Sequence, residues 1–316
     1  MADDPRLARL TRELFFVAAT LGSGDGLPAW VVDRVTSLFD EMGVVEGQVI
    51  FAAGDPADYI YFMANGRVSL TKEGAAPWQY EGRWALGMFE VILDRPRART
   101  ATALSSFRMM RLRADAWLDI LEDSFLLGRA SLERSARTVA VLAEELSQRG
   151  LVPATMVASF MPLPRGKLNL IERLAVLYEL VHLRGSGVQT LAELAAVVEE
   201  FTFDPGDTIM EAGVPKDKTF VVLSGEVDAS RADPAITRTF GPGTVLLGAA
   251  AFGDGPLPWE AHARTATRAL AIRHDDWLNL LEEHFDMLRS ALGAMAMQRD
   301  RMVEQMAAQS GGLVLR

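Results

Sequence analysis

Three glycines at fixed spacing occur twice in this chain of 316 residues. Gly47, Gly54 and Gly66 are seven and then twelve residues apart, and Gly206, Gly213 and Gly225 repeat that spacing 159 residues later. The flanks repeat as well. Val49-Ile50-Phe51 meets Thr208-Ile209-Met210, and Tyr61–Val68 lines up with Phe220–Val227. Further on, Trp117-Leu118, Leu121-Glu122 and Phe125 recur at offset 160 as Trp277-Leu278, Leu281-Glu282 and Phe285. A period of half the chain marks a duplicated domain, because solenoid repeats run to only ~20–50 residues.

Each copy reads as a helix pair, a β-rich section and a long helix. Leu10, Leu14, Val17 and Leu21 form a helical stripe matched by Leu170, Leu174, Leu177 and Val181. The second helix of each pair is expected to carry Val32, Val35, Leu38, Phe39 and Met42, matched by Leu191, Leu194, Val197, Val198 and Phe201. Short runs then follow between Gly, Asp-Pro and Asn-Gly turn signals: Tyr59–Met63, Arg67–Thr71, Thr100–Leu104 and Arg108–Arg113. Copy two repeats them as Thr219–Leu223, Glu226–Ser230, Ala263–Thr267 and Ala269–Arg273. Runs of this length and interval predict a small antiparallel jelly roll in each half, an α+β chain overall. A long helix begins near Trp117 and again near Trp277. The expected domains are 1–149 and 167–316, joined by a linker over 150–166 that is rich in Pro, Gly and Met.

Composition narrows the function. A net charge of −10 argues against a nucleic-acid binder, which needs a basic face. No apolar run approaches the ~18–20 residues of a membrane span. The start, Met1-Ala2-Asp3-Asp4, lacks the basic and apolar regions of a signal peptide, so a cytoplasmic protein is expected. Without cysteine there is no thiolate metal site or thiol nucleophile. His182 and His284 fall in helical segments, and His262 and His274 are twelve apart with no His-x-His pair, so no metal site is expected. No catalytic triad or phosphate-cradling P-loop is present, and no enzyme is expected.

Helices, then a jelly roll with Gly–x6–Gly–x11–Gly in its first strands, then a long hinge helix: both halves resemble the cyclic-nucleotide-binding domain family. The tandem arrangement is similar to the regulatory subunits of cyclic-nucleotide-dependent kinases. The resemblance implies a ligand cassette, a Phe-Gly-Glu opening a short helix and, about eight residues later, Pro-Arg-Ala-Ala-Thr. In the family the Arg holds the cyclic phosphate and the Glu accepts from the ribose 2′-hydroxyl. Backbone N–H groups at the helix start and a guanidinium suit one enclosed anion.

Copy one has Leu86-Gly87-Met88 and then Pro96-Arg97-Ala98-Arg99-Thr100. The resemblance implies that cyclic AMP or cyclic GMP, if bound, meets Gly87, Met88, Arg97, Ala98, Arg99 and Thr100, with the phosphate on Arg97. Met88 stands where the Glu should be, and a thioether is a weak acceptor. A competing register pairs Glu90 with Arg99. Its support is that Ala98-Arg99-Thr100-Ala101-Thr102 recurs at offset 165 as Ala263-Arg264-Thr265-Ala266-Thr267. In copy two, Leu247-Gly248-Ala249 and Pro256-Leu257-Pro258 put Ala249 for the Glu and Leu257 for the Arg. Leucine cannot neutralise a buried phosphate, so copy two is expected to be empty.

Each of these features has a plainer reading. Arg97 is equally a surface arginine between Arg95 and Arg99, Glu90 a solvated helix residue, and Trp117 and Trp277 core anchors of their helices. Phe285, Leu288, Leu292, Met295, Met302 and Met306 form an apolar stripe interrupted at Arg299, and Leu132, Val139, Leu142 and Leu146 form another. At ~1.5 Å per residue the last helix runs about 30 Å past Phe285, further than a small barrel is expected to cover. These post-barrel helices are therefore expected to meet a protein partner or a second copy of the chain. With Arg316 soon after, no winged helix is expected, and no paired-Arg inhibitor segment stands before residue 40. Two functions remain open: a ligand sensor working through Arg97, and a scaffold whose two pockets are vestigial. Nothing in the sequence separates adenine from guanine.

Overall fold

The structure is a computed structural model that describes residues 37–214, 217–233, 235–248 and 257–315. The expected first helix pair, with Leu10, Leu14, Val17, Leu21, Val32 and Val35, lies outside them. The chain forms two compact units, residues 1–134 with 299–316, and residues 135–298.

The first unit holds β1 (Asp40–Val44), β2 (Val49–Phe51), β3 (Tyr59–Met63), β4 (Arg67–Thr71), β5 (Trp78–Glu81), β6 (Trp84–Leu86), a short helix α1 (Met88–Ile92), β7 (Thr100–Ala103) and β8 (Phe107–Arg113). Two antiparallel sheets result, in the orders β1-β8-β3-β6 and β2-β7-β4-β5. Their facing side chains, among them Ile60, Phe62, Val68, Ala101 and Leu112, are fully buried. Next come α2 (Ala114–Asp123) and α3 (Phe125–Gln148). Trp117 on α2 is fully buried and anchors that helix in the core.

In the second unit, α4 (Leu170–Glu179) opens on a capping box between Asn169 and Glu172. A 3-10 turn (Val181–Leu183) and α5 (Val188–Val197) lead into β9 (Glu199–Phe203), β10 (Thr208–Met210), β11 (Lys218–Ser224), β12 (Val227–Arg231), β13 (Ile236–Phe240), β14 (Glu260–Ala263) and β15 (Thr267–Arg273). The sheets are β11-β15-β9 and β10-β14-β12-β13. Helices α6 (His274–Glu283) and α7 (Phe285–Ser310) follow, and β16 (Leu313–Leu315) ends the chain.

Seven of the eight strands of the first barrel have a counterpart in the second, and at the place of β6 the described residues hold the single bridge of Val221 to Val245. The register slips between Val49 and Phe51 against β7, and in the same way between Thr208 and Met210 against β14. Such a bulge leaves one residue unpaired and bends the strand, so its recurrence is inherited geometry. All six repeated glycines have φ between 77° and 95°, a region in which a side chain is strained, which explains why the glycines carry the repeat.

Three expectations are corrected. Met42 and Phe201 lie on β1 and β9, because the helix stops at Val197 and the run Glu199–Phe203, with its two phenylalanines and a threonine, pairs as a strand with β15. Ala263–Thr267 is not one strand: Ala263 ends β14, Thr267 opens β15, and residues 264–266 connect them. Within the expected linker, Val157 bridges to Thr244, and Arg268 donates to the carbonyls of Pro164 and Gly166 at 2.6 and 2.7 Å. The apolar stripes are covered within the chain. Leu288, Leu292, Met295, Met302 and Met306 on α7 are all under 4% exposed, and Leu132, Val139, Leu142 and Leu146 on α3 are buried too. Residues 285–298 of α7 belong to the second unit and 299–310 to the first, and α3 divides after Arg134.

Candidate functional site

The cassette of copy one is assembled by β6, α1 and the segment entering β7. Gly87 precedes α1 with φ 75°, the left-handed region, and a Cβ there would overlap the Arg97 guanidinium. Arg97 is 3% exposed. Its Nη1 donates to the Gly87 carbonyl at 2.7 Å and its Nη2 to the Tyr59 carbonyl. The guanidinium carbon lies 4.4 Å from the centre of the Phe51 ring and 5.9 Å from that of Tyr61. Its nearest acidic partner is Glu90, with 3.8 Å between Nη1 and Oε2, too long for a hydrogen bond. Burial pulls the Arg97 pKa below its ordinary value, opposed chiefly by Glu90. Arg97 is therefore a buried cation and not a surface arginine.

The other candidates are placed as follows. Met88 is the first residue of α1 and half-buried. Ala98 is half-buried. Thr100 Oγ1 accepts from the Ala53 amide at 3.0 Å, so it holds the barrel wall. Arg99 is buried, stacks on Trp78 with its guanidinium carbon 3.7 Å from the ring centre, and donates to Glu304 at 3.1 Å. Glu90 thus faces Arg97 and, at 3.9 Å, Arg95, while Arg99 is paired elsewhere.

Backbone hydrogen bonds decide the register between copies. The Gly54 amide donates to the Arg97 carbonyl at 2.9 Å, and the Gly213 amide donates to the Leu257 carbonyl at 2.8 Å. Gly47 to Ala103 and Gly206 to Ala263 correspond in the same way. Arg97 and Leu257 therefore occupy the same place, and the likeness at offset 165 is not structural. One residue shifts from the expected match. Leu86 pairs with Tyr61, and the Leu246 amide bonds to the Phe220 carbonyl, so Leu247, with φ 50°, sits at the place of Gly87. Gly248 then stands opposite Met88, in place of Ala249, which lies outside the described residues. Leu257 packs against an apolar cluster with Phe220, Val222, Trp259 and Ala261.

Copy two keeps cations nearby, but on other positions. Arg231 and Arg238 lie over the Trp259 ring at 5.3 and 5.2 Å. Arg231 pairs with Glu144 at 2.6 Å and Arg238 donates to Ser147 at 2.8 Å. The copies have exchanged partners: Trp78 on β5 stacks under Arg99, whereas Arg238 on β13 stacks over Trp259. Glu144 on α3 and Glu304 on α7 are themselves related by the 160-residue offset. This correspondence was visible in the sequence only as matching positions on two helices.

Elsewhere in the second unit an apolar cavity of about 60 Å³ is lined by Leu177, Leu194, Val221, Leu270 and Trp277, with His182 in its wall. Burial alone pushes the His182 pKa down to about 4. Among the described residues, Glu193, Glu283 and His284 gather three possible metal-ligand atoms within 4.8 Å. Both His284 nitrogens are already engaged, by Glu193 at 2.7 Å and Thr190 at 3.4 Å, as in an ordinary ion pair. No described helix is long and apolar enough to cross a membrane.

A stretch of 107 residues is 31% identical to uncharacterized NTE family proteins of Mycobacterium bovis and Mycobacterium tuberculosis, covering 34% of this chain and 18% of theirs. The chain thus spans less than a fifth of those relatives' length. Among solved structures, the regulatory domain of Toxoplasma gondii PKA with cAMP is 15% identical, with a TM-score of 0.34 over 89% of this chain and 94% of that one. The regulatory subunit of a cAMP-independent protein kinase A from Trypanosoma brucei is 16% identical, with a TM-score of 0.34 over 87% and 86%. The cyclic nucleotide-binding domain profile matches residues 43–124 and again 200–284, more than half the chain. The chain belongs to the cyclic nucleotide-binding domain family and carries that domain twice.

Proposed function

We propose that this chain is a non-catalytic, cytoplasmic regulatory protein of the cyclic-nucleotide-receptor type. Its first copy takes a cyclic nucleotide or another small phosphate on Arg97 and relays occupancy to a protein partner. Copy two, with Leu257 in the anchor's place, takes no such ligand. The carrying observation is a set of buried donors left without acceptors at the first cassette: Nε of Arg97, Nε of Arg95 and Nε1 of Trp78. Unpaired buried donors are costly, and an anionic, oxygen-rich ligand would satisfy them. The missing ribose acceptor at Met88 makes such a site weaker than a complete one.

A degenerate scaffold that binds protein partners and no nucleotide is the second reading. It is favoured by the carbonyls of Gly87 and Tyr59, which already take both terminal nitrogens of Arg97. Met88→Glu separates the two. On the sensor reading it restores the ribose contact and tightens cyclic AMP or cyclic GMP about tenfold in equilibrium dialysis, as one added charge-assisted hydrogen bond should. If neither the wild type nor Met88→Glu binds either nucleotide, the scaffold reading replaces the sensor.

A further inference from the structure

The charged break in the last apolar stripe has a use. Arg299 is 7% exposed and sits on the first barrel, its guanidinium carbon 5.0 Å from the ring centre of Phe89 on α1 and 5.7 Å from that of Tyr80 on β5. It donates to the Tyr80 hydroxyl at 2.6 Å. The neighbouring Asp300 pairs with Arg299 at 3.1 Å and with Arg95 of the cassette at 3.6 Å. One turn on, Glu304 takes Arg99. Past the helix, β16 adds to β5 as a parallel strand, Leu313 to Trp78 and Leu315 to Tyr80. Among the described residues the second unit's corresponding sheet, β10-β14-β12-β13, ends at β13 with no such addition. Val139, the counterpart of Arg299 on α3, is apolar.

We propose that residues 299–315 are a tethered stopper on the first copy's cassette, with Arg299 as its pin and Glu304 as the carboxylate that holds Arg99 in place. Three consecutive parts of the cassette are gripped by one helix face: α1 through Phe89, the following loop through Arg95, and the strand entry through Arg99. The cassette cannot shift without breaking these contacts, and releasing them uncovers the edge of β5. What the stopper controls rests on the reading of Arg97 as an anion anchor, but its own test needs no ligand.

Hydrogen exchange read by mass spectrometry on the full chain tests it. Arg299→Met keeps the length of the side chain and removes the pin. Exchange should rise about tenfold together in β16, in β5 and in residues 86–100, while β3 and β8 remain as slow as in the wild type. Glu304→Gln should produce the same pattern at about threefold. If Arg299→Met loosens the whole barrel, Glu304→Gln decides, because joint acceleration of tail and cassette supports the stopper. Acceleration of the tail with an unchanged cassette, or no change in either, overturns it.

Discussion

The same place in two copies of one fold holds Arg97 in one and Leu257 in the other, and almost everything around them differs accordingly. Around Arg97 stand two carbonyls, two aromatic faces and a carboxylate at 3.8 Å. Around Leu257 stands an apolar cluster of Phe220, Val222, Trp259 and Ala261. The backbone is indifferent to the change, since the Gly54 and Gly213 amides close on the two carbonyls alike. A barrel of this kind is set by its glycines and its alternating core, and the cassette residues are carried on it as passengers free to change chemistry.

The largest effect should come from the helix anchors. Trp117 is fully buried, so Trp117→Ala should cost about 3–5 kcal/mol in urea unfolding. Trp277 borders the cavity of about 60 Å³ and is less enclosed, so Trp277→Ala should cost about 2 kcal/mol. Equal costs would mean that the two helices are anchored equally. Leu257→Arg should fall between the two tryptophans, at about 3 kcal/mol, because it brings an uncompensated guanidinium against an apolar cluster. If Leu257→Arg is stable and binds a nucleotide, copy two has lost one residue and not its site.

Third is a pH effect confined to the second unit. His182 has a folded pKa of about 4 against the ordinary 6.5, so between those values the unfolded state binds more protons. Stability is then complete above pH 6.5 and is lost as pH falls towards 4. At 1.36 kcal/mol per unit, the loss by pH 5 is about 2 kcal/mol. Urea midpoints at pH 7 and pH 5 should converge in His182→Phe; an unchanged slope would clear His182 of the effect.

The smallest structural effect should be Arg97→Leu, at about 1–2 kcal/mol, because the carbonyls of Gly87 and Tyr59 lose their donors. A loss as large as that of Leu257→Arg would mean that Arg97 is chiefly a structural strut.

The repeat and the jelly rolls were legible because glycine at positive φ and core alternation are local requirements written at fixed spacing. The cassette register was half legible. Ala98–Thr102 and Ala263–Thr267 share letters, but the backbone bonds at Ala103 and Ala263 show that they lie on different parts of the barrel. Leu247 at φ 50° could not be read, since leucine rarely adopts that conformation. The destination of α7 was not legible either. An apolar stripe states that a helix face is covered but does not name the cover, and Arg299 appeared as an interruption because its partners, Tyr80 and Phe89, are about 210–220 residues away.

Calorimetric titration of the intact protein with cyclic AMP and with cyclic GMP, beside Arg97→Ala, tests the functional asymmetry most directly. One site per chain is expected, with binding weakened by one to two decades in Arg97→Ala, about 1.5–3 kcal/mol for a charge-assisted contact. Two sites per chain, or a single site indifferent to Arg97→Ala, would contradict it.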